Sequence, residues 1–270
     1  MTRNISDLPS ALDSRDELNR RLAGKRPAIF LDYDGTLTPI VDRPEMAVLS
    51  ESMRAIVRGL AERCPVAVVS GRDRPDVEKL VGLDNLIYAG SHGFDIAVPD
   101  GETITRDEGA GFADTMDTVK ERLNREIAPL EGALIEPKKS SVAVHYRLAG
   151  DADRVKIKDV VDDILAGHDN LKMTPGKMVY EIQPKLDWHK GKAVLWLLEA
   201  LDLNGPDVLP LYFGDDITDE DAFRALSGRG IGVYVVGDTE EAKADRPTAA
   251  DYKVEDTEAA GALLDSLARQ

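Results

Sequence analysis

Residues 28–31, 66–69, 86–89, 208–213 and 231–236 form short, almost wholly apolar runs, each within two residues of a Gly, Pro or Asp. A strand with one solvated face alternates apolar and polar side chains. Continuous apolar runs of this length suit strands buried on both faces of a parallel sheet. Such a sheet needs crossover helices, and the intervening segments supply them. At 50–63 and 190–201 apolar residues recur at intervals of three and four, the period of a helix with one buried face. The alternation predicts a doubly wound α/β core.

The middle of the chain reads differently. Strand candidates at 134–135, 142–146, 171–173 and 178–182 are separated by helices predicted at 112–127 and 153–166. We read residues 108–183 as a smaller α/β domain inserted into a core made of 1–107 and 184–270. A 270-residue chain that is 43% hydrophobic has enough apolar surface for both.

Charge narrows the partners. Lys plus Arg number 34 against 50 Asp plus Glu, a formal net charge of −16 that disfavours nucleic acid and anionic membranes. An anionic substrate therefore needs a local basic site. The one cysteine, Cys64, excludes an intrachain disulfide and suits a reducing compartment. No apolar signal region opens the chain and no run approaches 18 apolar residues, so a cytoplasmic location is expected.

Four segments could hold reaction chemistry. Phe30-Leu31-Asp32-Tyr33-Asp34-Gly35-Thr36 runs a strand into two carboxylates one residue apart. Ligands of open α/β sheets bind at the carboxyl ends of strands. An Asp with a reference pKa of about 3.9 is ionised at neutral pH, so Asp32 needs no base to act as a nucleophile, and Asp34 is placed to handle protons. A calcium loop is excluded: counted from Asp32, its required Gly and Glu positions hold Leu37 and Arg43. Next, Val69-Ser70-Gly71-Arg72 ends a strand with a hydroxyl and a glycine, suited to a phosphoryl oxygen but also to an ordinary turn. Third, His189-Lys190-Gly191-Lys192 opens a helix where a lysine could neutralise a phosphate; charge alone does not choose between Lys190 and Lys192. Last, Gly214-Asp215-Asp216-Ile217-Thr218-Asp219-Glu220-Asp221 empties a strand into hard oxygen ligands suited to magnesium, although acids there also start helices. Gly228-Arg229-Gly230-Ile231-Gly232 looks like a dinucleotide fingerprint but precedes a strand, so that reading is dismissed.

Taken in order, a DxDGT segment, a hydroxyl, a lysine and a GDDxxD segment, the chain resembles the haloacid-dehalogenase phosphatases. The resemblance implies a Rossmann-like core with a parallel sheet plus the inserted α/β cap. It also implies Asp32 as nucleophile, Asp34 as general acid and base, and Ser70 and Lys190 on the phosphoryl group. Mg2+ would sit on Asp32, the Asp34 carbonyl and Asp215, with Asp216 and Asp219 as further candidates.

Within that superfamily, two cap segments resemble those of trehalose-6-phosphate phosphatases: Glu136-Pro137-Lys138-Lys139-Ser140-Ser141-Val142-Ala143-Val144-His145-Tyr146-Arg147 and Gly176-Lys177-Met178-Val179-Tyr180-Glu181. So does Gly90-Ser91-His92-Gly93, otherwise a plain turn. The match extends from about Phe30 to Phe223; Lys139 stands where glycine is the more usual residue. The resemblance implies that Glu136, Lys138 and Glu181 hydrogen-bond sugar hydroxyls, while Gly71, Arg72, His92 and Gly93 frame the sugar phosphate. It further implies trehalose 6-phosphate as substrate, the last step of trehalose biosynthesis, functional pairing with a trehalose-6-phosphate synthase, and a monomer. Alternatives are a phosphatase for sucrose phosphate, mannosyl-phosphoglycerate or a hexose phosphate, a phosphomutase, or a noncatalytic sugar-phosphate-binding subunit.

Overall fold

A computed structural model describes residues 3–99, 103–105, 112–138, 141–237 and 245–269. The chain divides into two units, Met1–Ile104 with Trp188–Gln270, and Thr105–Asp187. The expected boundary at 107/108 falls outside the described residues. The second boundary moves from 183/184 to 187/188, because the last strand of the second unit continues through Pro184 and the Lys185 N–H donates to the Asn170 carbonyl at 2.7 Å.

In the first unit a two-residue strand, β1 (Arg3–Asn4), pairs with β13 (Pro247–Thr248). The main sheet comprises β2 (Arg26–Leu31), β3 (Val66–Val69), β4 (Ile87–Gly90), β5 (Asp95–Ala97), β6 (Thr103–Thr105), β11 (Val208–Gly214), β12 (Ile231–Val235) and β14 (Tyr252–Val254). Their order is β14-β12-β11-β2-β3-β4-β5-β6, parallel from β14 through β4, with β5 antiparallel to β4. All five predicted strands are here, and Rossmann-like winding follows.

Successive residues of these strands bury on opposite faces. Ile29, Leu31, Val66, Val68, Leu211 and Phe213 join one core with helices α1 (Arg15–Leu22), α2 (Glu51–Ala61), α3 (Arg74–Val81) and α8 (Thr257–Ala268). Ala28, Phe30, Ala67, Val69 and Tyr212 join a second core with α6 (Lys190–Ala200) and α7 (Glu220–Leu226). Burial on both faces is why these strands contain no polar alternation. The start of α2 is fixed by Ser50, whose Oγ accepts the Met53 N–H at 3.2 Å.

The second unit holds α4 (Ala113–Glu126), α5 (Asp151–Ala166) and strands β7 (Leu134–Pro137), β8 (Val142–His145), β9 (Leu171–Gly176) and β10 (Val179–Pro184). The strands form an antiparallel sheet in the order β7-β8-β10-β9. Val142, Val144 and Ile182 pack with Val119 and Leu123 of α4 and Ile157, Val161 and Ile164 of α5. Alternate residues, Glu136, Ala143, His145, Glu181 and Gln183, therefore take the other face. Lys139 lies outside the described residues.

Leu211 is 1% exposed and paired in register with Ile29. Leu211→Ala is expected to lower stability by about 2–5 kcal/mol, seen as a lower urea midpoint at unchanged slope.

Candidate active site

β2 and β11 are adjacent in the sheet yet distant in sequence. From β2 the chain winds to β3 and β4 on one side and later returns to β11 on the other, so the strand order reverses between them. A crevice opens at the carboxyl ends of strands at such a reversal. Asp32 leaves β2 there, its N–H donating to the Phe213 carbonyl of β11 at 2.9 Å, and Asp215 follows the end of β11.

Gly35 lets these two loops meet. Its φ is +88°, and a Cβ there would lie 2.0 Å from Asp215 Oδ2. Thr36 Oγ1 donates to Asp215 Oδ1 at 3.4 Å. Behind the loop, Tyr234 OH and Arg246 Nη2 donate to the Asp215 carbonyl at 2.7 and 3.3 Å.

Lys190, the first residue of α6, is buried, and its Nζ donates to Asp32 Oδ1 at 2.8 Å and to Asp219 Oδ1 at 2.7 Å. Lys190 is thus the lysine placed on the predicted nucleophile. Asp219 accepts three more bonds: Tyr212 OH at 2.6 Å on Oδ1, and the N–H groups of Asp215 and Asp216 at 3.0 and 2.9 Å on Oδ2. Gly214 leaves room, since a Cβ there would lie 2.4 Å from the Asp219 carboxyl carbon.

Ligand oxygens of Asp32, Asp215 and Asp219, all buried, lie within 4.8 Å of one another. Three carboxylates against the single ammonium of Lys190 leave the ionised cluster at −2. Burial, with added repulsion from Asp219 and Asp215, pushes the Asp32 carboxyl well above its ordinary range despite Lys190. Burial also opposes ionisation of Asp219, but Lys190 and the bonds it accepts outweigh that and hold it below the ordinary range. A buried cluster of carboxylate oxygens with surplus negative charge fits a hard divalent cation such as magnesium. Asp219 already accepts four bonds, from Lys190, Tyr212 and two backbone N–H groups. Asp216, expected as a further ligand, is outside the cluster among the described residues: its Oδ1 accepts the Ile217 N–H at 2.6 Å.

The remaining predicted residues of this unit gather at the ends of β3 and β4. Ser70 is buried, and its Oγ accepts the Arg72 N–H at 3.1 Å. Ser91, His92 and Gly93 have φ values of +49°, +57° and +93°, a left-handed run that brings the His92 N–H onto the Ser70 carbonyl at 2.9 Å and the Ser91 N–H onto the Arg72 carbonyl at 2.7 Å. The His92 ring lies against Gly71, where a Cβ would sit 2.8 Å from Cε1. Gly93 has a packing reason to be glycine: a Cβ would sit 2.3 Å from that of Ala193 in α6. Arg72 does not stand open toward a sugar phosphate. Its guanidinium is bidentate on Asp34, at 2.7 Å for both Nε to Oδ2 and Nη2 to Oδ1.

In the second unit, Glu136 and Glu181 both pair in register with Ala143, whose small side chain lies between them on the face away from the helices. Ser141 Oγ donates to Glu181 Oε1 at 2.6 Å, Lys138 Nζ lies 3.4 Å from Glu181 Oε2, and His145 Nε2 is 2.7 Å from Glu136 Oε2. Tyr212, Tyr234, Arg246 and Asp76, which meet functional residues in the first unit, escape sequence reasoning. For Tyr212 a signal existed, since a tyrosine in a buried strand needs a partner for its hydroxyl.

The trehalose-phosphatase family profile matches residues 30–258. A trehalose-phosphate phosphatase of Mycobacterium avium is 40% identical over 274 residues, covering 99% of this chain and 68% of that protein. An uncharacterized glycosyl hydrolase of Mycobacterium tuberculosis is 42% identical over 260 residues, covering 93% of this chain; this chain spans 19% of its length. Among solved structures, the C-terminal domain of Candida albicans trehalose-6-phosphate phosphatase superposes with a TM-score of 0.79 at 22% identity, covering 97% of this chain and 98% of that domain. That likeness shows a shared α/β fold.

Asp219→Asn places an amide nitrogen where either Lys190 and Tyr212 or two backbone N–H groups donate. It is expected to cost about 3–5 kcal/mol, as for a broken buried ion pair. Asp215→Asn, which leaves the Lys190 bridge between Asp32 and Asp219 in place, is expected to cost less. Thermal denaturation of both variants in chelator makes the comparison.

Proposed function

The chain belongs to the trehalose-phosphatase family, and from that premise we propose that it is a magnesium-dependent phosphatase converting trehalose 6-phosphate and water to trehalose and phosphate. The observation that supports this most is the buried Asp32–Lys190–Asp219 arrangement at the sheet's switch point, beside Asp215. Asp32, Asp215 and the Asp34 carbonyl would hold the cation, which when bound offsets negative charge on the transferring phosphoryl group.

The residues divide two steps. An Asp32 oxygen attacks phosphorus while the bond from phosphorus to the sugar 6-oxygen breaks, and Asp34 gives that oxygen its proton. Water then attacks the aspartyl-phosphate, Asp34 takes the water's proton, and phosphate leaves with Asp32 regenerated. Lys190 orients Asp32 and, with Ser70, offsets charge on the phosphoryl oxygens. Glu136, Lys138 and Glu181 of the second unit would bind sugar hydroxyls, supported by the register of Glu136 and Glu181 on either side of Ala143 and by Lys138 Nζ lying 3.4 Å from Glu181 Oε2. A cytoplasmic setting accords with the lone buried Cys64, whose thiol burial pushes up to about 11 and so keeps unreactive. Among the described residues no helix is long and apolar enough to cross a membrane.

Phosphate release from trehalose 6-phosphate, sucrose 6-phosphate, glucose 6-phosphate and mannosyl-phosphoglycerate, with magnesium or chelator, tests the reading. The expected result is magnesium-dependent preference for trehalose 6-phosphate and no turnover by Asp32→Asn. Preference for another sugar would retain the mechanism and replace the substrate; full activity in Asp32→Asn would remove the nucleophile assignment. Glu181→Gln is expected to lower kcat/KM at least about 10-fold on the preferred sugar phosphate, a loss of about 1.4 kcal/mol, and little on p-nitrophenyl phosphate. An equal loss on both would deny Glu181 its sugar contact.

A further inference from the structure

The geometry points to Arg72 as the residue that positions Asp34 for proton transfer, a role separate from phosphate or sugar binding. Four of the five N–H groups of its guanidinium are engaged. Nε and one Nη2 hydrogen go to the two oxygens of Asp34, each at 2.7 Å; Nη1 goes to Asp76 Oδ2 at 3.0 Å; the second Nη2 hydrogen goes to the Pro44 carbonyl at 2.9 Å. The Arg72 side chain is 7% exposed, whereas that of Asp34 is 37% exposed.

The pair is unequal. Arg72 is held by contacts independent of Asp34: Asp76 in the first turn of α3, the Pro44 carbonyl in the connection between β2 and α2, and the Tyr33 ring, whose centroid lies 5.5 Å from Cζ. Tyr33 is fixed in turn by donating its hydroxyl to the Ala47 carbonyl at 2.7 Å. The Asp34 backbone is itself held, since Tyr33 precedes it and the Leu37 and Thr38 N–H groups donate to the Tyr33 carbonyl, but the Asp34 side chain is the more exposed of the pair. The guanidinium is therefore the fixed post and the carboxylate the group it aims. A planar fork sets both the position and the plane of a carboxylate; a lysine ammonium sets neither. A proton-transfer group gains its rate advantage only at hydrogen-bond reach of the reacting oxygen. With most of its donors occupied, Arg72 has little left for a substrate.

This inference rests on the reading of Asp34 as acid and base, and the test separates the two. An alkoxide leaving group needs a proton, whereas p-nitrophenolate leaves without one. The parameter kcat/KM reports only steps through leaving-group expulsion, so hydrolysis of the aspartyl-phosphate does not enter it. Arg72→Lys, Asp76→Asn, Asp34→Asn and Asp32→Asn are compared on the best sugar phosphate and on p-nitrophenyl phosphate. Arg72→Lys is expected to lower kcat/KM on the sugar phosphate by about 100-fold, and on the aryl phosphate by less than about 3-fold, in the pattern of Asp34→Asn. Asp76→Asn, which loosens the post without touching Asp34, should show the same selectivity at a few-fold. Equal loss on both substrates in Arg72→Lys and Asp76→Asn would overturn the inference in favour of phosphoryl binding or a merely structural role. Retained sugar-phosphate activity in Arg72→Lys, with selective loss in Asp34→Asn, would overturn it too. If Asp34→Asn itself shows no selectivity, the acid–base reading of Asp34 falls, and this inference falls with it.

Discussion

Lys190 bridging Asp32 and Asp219 is the interaction on which the rest of the first unit's site depends. Taking charged groups out of water is costly, and the cost is offset only when every lone pair and proton finds a partner. Asp219 meets that condition with an ammonium, a phenol and two backbone amides, drawn from the start of α6, from β11 and from the turn that follows it. Those bonds require close approaches that side chains would block. Glycine at 35, 191 and 214 supplies the space: a Cβ at Gly191 would lie 2.2 Å from the Asp221 carbonyl oxygen, as tight as the clashes at the other two positions. The glycines beside the acidic motifs are thus part of the electrostatics.

The core was legible because burial on both faces removes polar residues from a strand, which is visible in one dimension. The five short apolar runs became β2, β3, β4, β11 and β12, with ends shifted by at most two residues. The antiparallel β5 and the edge strands β6 and β14 are three residues each, too short to show a period. The order of the four motifs similarly pointed to Asp32, Ser70, Lys190 and Asp215, because each terminates a strand or opens a helix. What the sequence could not show is which polar groups choose one another. Arg72 and Asp34 are 38 positions apart, and Lys190 and Asp32 are 158. That the Arg72 guanidinium, beside a Ser-Gly turn, pairs with the carboxylate at the neighbouring strand end is visible only in three dimensions. Likewise, Asp216 and Asp219 are equivalent by composition and differ only in that one faces its neighbour's amide and the other faces a lysine.

The second unit shows the same distinction on a simpler scaffold. Alternation along β7, β8 and β10 commits valine and isoleucine to the helices and leaves Glu136, His145, Glu181 and Gln183 together on the opposite face. That much follows from a period of two. The pairing of Lys138 and Ser141 on Glu181 depends on the two residues being brought together, the Lys138 N–H donating to the Ser141 carbonyl at 2.9 Å. A carboxylate held from both sides in this manner presents a fixed plane to a ligand, which suits recognition of hydroxyl groups by geometry more than by charge.

Under the proposed reading, charge also explains how a chain of net −16 would act on an anion. The basic group at the switch point, Lys190, is already shared by two carboxylates, so the ionised cluster repels phosphate unless further positive charge arrives. The raised pKa of Asp32 has the same origin: burial and the neighbouring carboxylates leave its negative charge poorly tolerated despite Lys190. A divalent ion of the kind the oxygen donors suit would bring the −2 cluster to neutrality, favour the ionised nucleophile and make room for the phosphoryl group's own charge. Under the proposed reading, the ion requirement is therefore built into the protein's charge balance before any substrate enters, and the acidity of the chain is no obstacle to a phosphate ester once that balance is met.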